Sequence, residues 1–183
     1  VSARPYSAVT LSDGVQLALV DVVYTDEPAE RYQVVVQWDS QPLAEYGQLA
    51  TIGAVDVHTA YDSLYQVDSA RLLLSLIDSS AVIGDVRFIK EPGAVLPTDS
   101  GARVTEAEQS NTSVVFEEQA ILKLFRRVGC GVNPDIELNR ALARADNAHG
   151  DALARHRQTT RRGIRLPAQQ HRRAVGGELC ICR

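Results

Sequence analysis

The 183-residue chain is 45% apolar and 23% charged, with 12 Gly, 7 Pro and a net charge of −4, a balance that excludes disorder throughout, a collagen-like repeat and a membrane protein. No apolar run approaches the ~18 residues of a spanning helix, and residues 1–10 lack the layout of a secretory signal, so the expected compartment is cytoplasmic. Cys130, Cys180 and Cys182 suit neither a disulfide framework nor a spaced zinc site, and reduced thiols are expected.

The net charge hides a break near Asp146. Residues 1–145 hold 11 Lys and Arg against 20 acids, whereas residues 146–183 hold 8 Arg against 3 acids, three of the four histidines, no aromatic residue and no apolar period. Such a segment buries too little surface to offset the entropy of ordering it, and the sequence predicts disorder there. Two readings fit it: a basic arm for nucleic acid or acidic partners, or a non-native, frame-shifted tail of arginine-rich coding sequence, and the second is preferred.

In chain order, Val15 to Tyr24 reads as a strand closed by Thr25-Asp26-Glu27-Pro28, and Tyr32 to Trp38 as its hairpin partner, with Tyr32, Val34, Val36 and Trp38 on the apolar face. Residues 39–68 suggest loops and short elements only. From Ser69 to Ser80 the period becomes helical, with Leu72, Leu73, Leu76 and Ile77 on one face, Asp68 as N-cap and Gly84 beyond the end. Gly84 to Lys90 reads as a strand, and Pro97-Thr98-Asp99-Ser100-Gly101 as a linker and module boundary. The expected core of this first module is Leu17, Leu19, Val34, Val36, Leu72, Leu73, Leu76 and Ile77.

Beyond residue 100 the sequence predicts a strand at Arg103–Glu108, a polar turn at Gln109-Ser110-Asn111-Thr112, and paired strands at Ser113–Phe116 and Gln119–Arg126. A helix follows, capped by Asn133, opened by Pro134, and apolar at Leu138, Ala141, Leu142 and Ala145. The fold class is therefore α+β: a β-rich unit with a packed helix (1–100), a sheet-plus-helix unit (101–145) and a basic tail (146–183).

Lys123 stands between Leu122 and Leu124 on a strand whose alternate positions are apolar until Arg126. An ammonium on a sheet is costly to desolvate unless a carboxylate or phosphate offsets it. Glu137, 14 residues on and one turn into the next helix, is the sensible carboxylate, and a strand lysine held by a helix glutamate is how kinase-like folds grip nucleotide phosphates. A solvent-facing edge lysine is the competing reading. Ser110-Asn111-Thr112-Ser113 offers hydroxyls and backbone N–H groups where such folds cover the phosphates, although any polar hairpin does the same.

The segments Glu108-Gln109-Ser110-Asn111-Thr112-Ser113-Val114-Val115-Phe116, Ile121-Leu122-Lys123-Leu124-Phe125-Arg126-Arg127 and Gly131-Val132-Asn133-Pro134-Asp135-Ile136-Glu137-Leu138-Asn139-Arg140 resemble the kinase N-lobe of actinobacterial maltokinase in order and spacing. Upstream, Tyr32-Gln33-Val34-Val35-Val36 and Leu72-Leu73-Leu74-Ser75-Leu76-Ile77 resemble that family's N-terminal cap domain. The resemblance implies an aminoglycoside-phosphotransferase-like kinase that moves phosphate from ATP, with Mg2+, to the anomeric hydroxyl of maltose. It gives maltose 1-phosphate for glycogen and α-glucan synthesis. It implies further that Ser110, Asn111, Thr112 and Ser113 cover the phosphates, Lys123 contacts them, Glu137 orients Lys123 and Ile121 touches the adenine.

Two departures accompany the match. The family's tryptophan-rich opening has no counterpart before Val15, and the C-lobe with its histidine-glycine-aspartate loop and magnesium-binding Asp is missing. His149-Gly150-Asp151 spells the loop motif only 12 residues after Glu137 and is expected to be coincidental. The chain thus resembles a maltokinase truncated at both ends, with no catalytic or metal-binding residue of its own and no expected activity alone. A second hypothesis is a non-catalytic module docking onto a trehalose- or maltose-processing enzyme such as trehalose synthase. A nucleic-acid binder ranks last, because the tail lacks aromatic residues and the rest is acidic.

Overall fold

The computed structural model describes residues 1–26, 28–42, 44–107, 110–129, 131, 133–134, 136–138, 141 and 178–181. Strands β1 (Ser2–Ser12), β2 (Val15–Val23) and β3 (Glu30–Trp38) form an antiparallel meander. The β2–β3 hairpin is the one the sequence predicts. Strand β1 is not predicted, because only Leu11 on it is fully buried and the strand carries no apolar alternation. Its signal is the turn: Asp13-Gly14 separates the paired residues Ser12 and Val15, and Gly14 has φ of +76°, a conformation that suits glycine in a two-residue hairpin loop.

Residues 39–68 hold the short elements expected of them, and two of these pair into the sheet. After a 3-10 turn at Ala44–Tyr46 and the short α1 (Gly47–Ala50), β4 (Thr51–Val55) and β5 (His58–Asp62) form a hairpin that extends the sheet in the order β1-β2-β3-β5-β4. A 3-10 turn at Ser63–Tyr65 then leads into α2 (Val67–Asp78), which starts two residues earlier than predicted. Gln66 occupies the N-cap without a side-chain cap bond, and Asp68 lies in the first helical turn instead. The helix buries Ser69, Ala70, Leu73, Leu74 and Ile77, leaving Leu72 and Leu76 half-buried at the margin of the stripe.

The expected face of β3 is reversed. Val35 and Gln33 are buried, while Val34 and Val36 are half-buried on the other side. The reason is polar: the glutamines that made this face look outward are used inward. Gln33 Nε2 donates to Phe125 O at 2.7 Å, and Ser69 Oγ on α2 donates to Gln37 Oε1 at 3.2 Å. Buried amides that find partners cost little, so polarity alone did not place the strand.

β6 (Val82–Ile83) and β7 (Val86–Ile89) make a small hairpin. Residues 97–101 lie against the body, because Arg71 on α2 donates to Ser100 O at 2.8 Å and Asp99 O at 3.0 Å. Beyond them β8 (Ala102–Ala107), β9 (Asn111–Phe116) and β10 (Ala120–Phe125) form a second antiparallel sheet, joined between β9 and β10 by a turn in which Glu117 has φ of +48°. Strand β11 (Arg127–Val128) then returns to the first sheet and pairs with Arg31 and Tyr32 of β3.

One hydrophobic core runs across residue 100. It joins Leu11, Val15, Leu17 and Val35 of the first sheet, the buried face of α2, Val86 and Phe88 of β7, and Val114, Phe116, Ala120, Leu122 and Leu124 of the second sheet. The molecule is mostly β-sheet. Among elements with described bounds, α2 is the only helix longer than one turn.

Past β11, residues 134, 136–138 and 141 have helical backbone, and Ile136 and Glu137 donate to Asn133 O at 3.0 and 3.1 Å. The predicted apolar stripe fails where it is described, since Leu138 is 59% exposed and Ala141 is exposed; Leu142 and Ala145 lie outside the described residues. In the segment 146–183, expected to be largely unstructured, residues 178–181 are described, as a strand. Strand β12 (Glu178–Ile181) pairs antiparallel with Val86–Ile89 of β7, whose edge opposite β6 is open to a short β-forming run such as Leu179-Cys180-Ile181. His149-Gly150-Asp151 lies outside the described residues.

Candidate functional site

The second sheet has one face in the core and one facing outward, and β10 divides its residues between them by simple alternation. Ala120, Leu122 and Leu124 are buried. Ile121 and Phe125 are half-buried on the opposite face, and Lys123 between them is exposed, its ammonium 5.2 Å from the centre of the Phe125 ring. Register places Ser113 of β9 directly opposite Lys123, and Val115 opposite Ile121. The outward face therefore offers a cation and a hydroxyl flanked by half-buried apolar side chains.

The four residues expected at a turn are not all there. Ser110 is exposed at the bend before β9, but Asn111, Thr112 and Ser113 belong to the strand itself, paired with Phe125, Leu124 and Lys123. Asn111 and Thr112 are buried, at 8% and 1% exposure; Thr112, opposite Leu124, faces the interior, whereas Asn111, opposite Phe125, lies on the other face. Asn111 Nδ2 donates to Ser110 Oγ at 3.2 Å. The Thr112 hydroxyl accepts from Arg126 Nε at 3.1 Å and Nη2 at 2.7 Å. Glu137, in the helical turn that follows, is exposed.

Arg126 is the residue that sequence reasoning missed. It continues the inward parity of Ala120, Leu122 and Leu124, and an arginine at an inward position demands a buried acceptor. That acceptor is the Asp62 carboxylate, paired with Nη2. The parity was a usable signal, but the partner stands 64 residues away and no local pattern names it.

Asp62 ends β5 and caps the 3-10 turn after it, its Oδ1 accepting from the Leu64 N–H at 3.1 Å. Burial pushes its carboxyl above the usual carboxylate range, against the opposing pull of Arg126 and the Leu64 N–H. The pair fills a gap along one edge of β3: β5 takes that edge at Val36–Trp38 and β11 takes it at Arg31–Tyr32. Between them the Gln33 N–H donates to Arg126 O at 2.7 Å.

No helix among the described residues is long and apolar enough to cross a membrane. Among the described residues no group of three or more His, Cys, Asp and Glu is placed to hold a metal ion. Residues 1–66, about a third of the chain, match the sequence model of the maltokinase N-terminal cap domain. The match takes in β1 and reaches 14 residues further upstream than the likeness seen from Val15 onward, and it ends at Gln66, just before α2.

Proposed function

We propose that the chain is the N-terminal part of an ATP-dependent maltokinase, in which residues 1–66 belong to the cap and β8–β10 with the following helical turn begin the nucleotide-binding lobe. The match of residues 1–66 to the maltokinase N-terminal cap domain carries this reading. The complete enzyme moves the terminal phosphate of ATP to the anomeric hydroxyl of maltose, giving maltose 1-phosphate for α-glucan synthesis.

The outward face of the second sheet fits a nucleotide chemically. Lys123 supplies charge for phosphates, Ile121 and Val115 supply apolar surface for a base, and Ser110 and Ser113 supply polar groups beside the lysine. In this reading Glu137 orients Lys123. Thr112, facing the interior, contributes through the backbone rather than through its side chain, and Asn111, on the face of Lys123, is largely covered. The Mg2+ ligands and the catalytic base of such kinases come from a C-lobe, so turnover by these residues alone is expected to be undetectable.

The test is to read the coding DNA beyond the Asp146 codon in its other two frames. A frame that encodes a histidine-glycine-aspartate loop and a later magnesium-binding Asp supports the reading; three frames without one sink it. A second reading, a non-catalytic docking module, is favoured by the hairpin edge: β4 is exposed along its whole length, with Ile52 51% and Val55 63% exposed, and Val57 in the turn after it is 87% exposed. Calorimetric binding to a trehalose synthase that Ile52→Lys abolishes would support it, and no heat with the unmodified chain would discard it.

A further inference from the structure

We infer that Asp62 is a positioning residue for the Ser110–Ser113 segment: acting through Arg126, the first sheet holds that segment in one conformation, and nucleotide affinity at the second sheet depends on it. The inference rests on the nucleotide-site reading above.

Arg126 grips both sheets, each at two points. Its main-chain N–H donates to Ser110 O at 2.8 Å and its guanidinium to the Thr112 hydroxyl, so the segment is fastened on either side of Asn111. Its carbonyl accepts from the Gln33 N–H, and its Nη2 pairs with Asp62. The guanidinium is planar and rigid, so the same Nη2 that meets Asp62 fixes the angle at which Nε and Nη2 meet Thr112. Asp62 is itself fixed by the Leu64 N–H and by its strand partner Val36. With 13% and 12% of the two side chains exposed, the attraction between them is little screened by solvent.

The joint is poorly suited to stability as its sole purpose. Arg126 Nη1, Gln33 Oε1 and Ser63 Oγ are buried without a protein hydrogen bond among the described residues, and apolar side chains of the same volume commonly serve stability as well as a buried ion pair does. What the polar joint adds is direction: a bond from one sheet to a named hydroxyl and a named carbonyl of the other.

The experiment uses the full chain, titrated with the fluorescent nucleotide mant-ATP and followed by amide hydrogen exchange. Asp62→Asn removes the charge with little change in shape, and Thr112→Val removes the hydroxyl. Each should weaken mant-ATP binding about 10-fold and speed exchange at the Arg126 amide about 10-fold, while the Phe88 amide, bonded to Ala81 O, changes less than about twofold. Thr112→Ser, which keeps the hydroxyl, should restore both. Uniform acceleration that includes Phe88 would make Asp62 a stabilising residue only, and an unchanged Arg126 amide would end the inference. Tighter binding by Asp62→Asn would show that the carboxylate restrains Arg126 from the nucleotide, which also overturns it. If the unmodified chain binds no mant-ATP, the nucleotide reading falls, and the exchange rates alone decide whether Asp62 sets the segment. Should Asp62→Asn fail to fold, the two Thr112 variants decide.

Discussion

Asp21–Arg31 and Asp62–Arg126 are the same chemical pair in opposite surroundings. The first links neighbouring strands at a register pair, is bidentate at 2.6 and 3.0 Å, and leaves 35% of the Arg31 and 32% of the Asp21 side chain exposed. The hydrogen bond from Arg31 holds the Asp21 carboxyl below its ordinary value. In the second pair the carboxyl moves the other way, because burial outweighs the arginine. The partner sets the sign in the exposed pair, and burial sets it in the buried one. The exposed pair decorates strands that the backbone already aligns, whereas the buried one ties β5 to the end of β10, between which no backbone pairing runs.

Breaking the buried pair should have the largest effect. Arg126→Ala leaves a buried carboxylate without its cation and should cost about 3–5 kcal/mol in urea unfolding, while the double change Asp62→Leu with Arg126→Met should recover most of that. A single variant that costs less than ~1 kcal/mol would remove the contrast with Asp21–Arg31. Leu73→Ala gives an apolar benchmark from the same core; at 4% exposure it should cost about 2–5 kcal/mol, and a loss below ~0.5 kcal/mol would show that the helix face is wrongly assigned.

The two pairs should also have opposite pH signatures. A carboxyl whose folded value is raised binds its proton more readily in the folded state, so from 3.8 up to that raised value its contribution to stability falls as pH rises. Asp21, being lowered, contributes stability above 3.8 that is lost as pH falls through its depressed value. Urea unfolding across the acid range should therefore show the advantage of the unmodified chain over Asp62→Asn shrinking with rising pH. Its advantage over Asp21→Asn should grow. Slopes of one sign for both would refute the assignment. The smallest effect belongs to Arg31→Ala, whose small loss should vanish at about 1 M salt; a loss that salt leaves intact would mean that the guanidinium acts by covering the Tyr6 ring, 3.2 Å from its centre, rather than by charge.

How far the sequence could be read depended on whether a residue's partner was local. On β10 alternation sorted Leu122 and Leu124 inward and Lys123 outward, because apolar and polar residues there follow the face they occupy. On β3 the same rule chose the wrong side, since Gln33 and Gln37 find inward partners on β10 and α2 that no β3 pattern reveals. Strand β1 lacked an apolar rhythm, and only Asp13-Gly14 announced it. At the candidate site, the outward place of Lys123 agrees with strand parity, whereas Ile121 is named only through the resemblance and Ser113 as part of a polar turn; the commitment of Thr112 to the interior follows from Arg126, and Arg126 is explained only by Asp62.

The pairing of β11 with β3 has a consequence for synthesis. Arg127 meets Tyr32, so the sheet edge begun early in the chain is finished only when residues about 95 positions later have been made. At roughly 5–20 residues per second this interval is about 5–19 s. Closing a loop of that length costs about 4 kcal/mol in chain entropy. The nascent protein therefore carries a half-built edge at Arg31–Tyr32 while the rest emerges from the ribosome, and the contacts that seat Arg126 beside Asp62 come late in assembly. During that interval the unpaired backbone groups of this edge are open to pairing by a strand of another polypeptide.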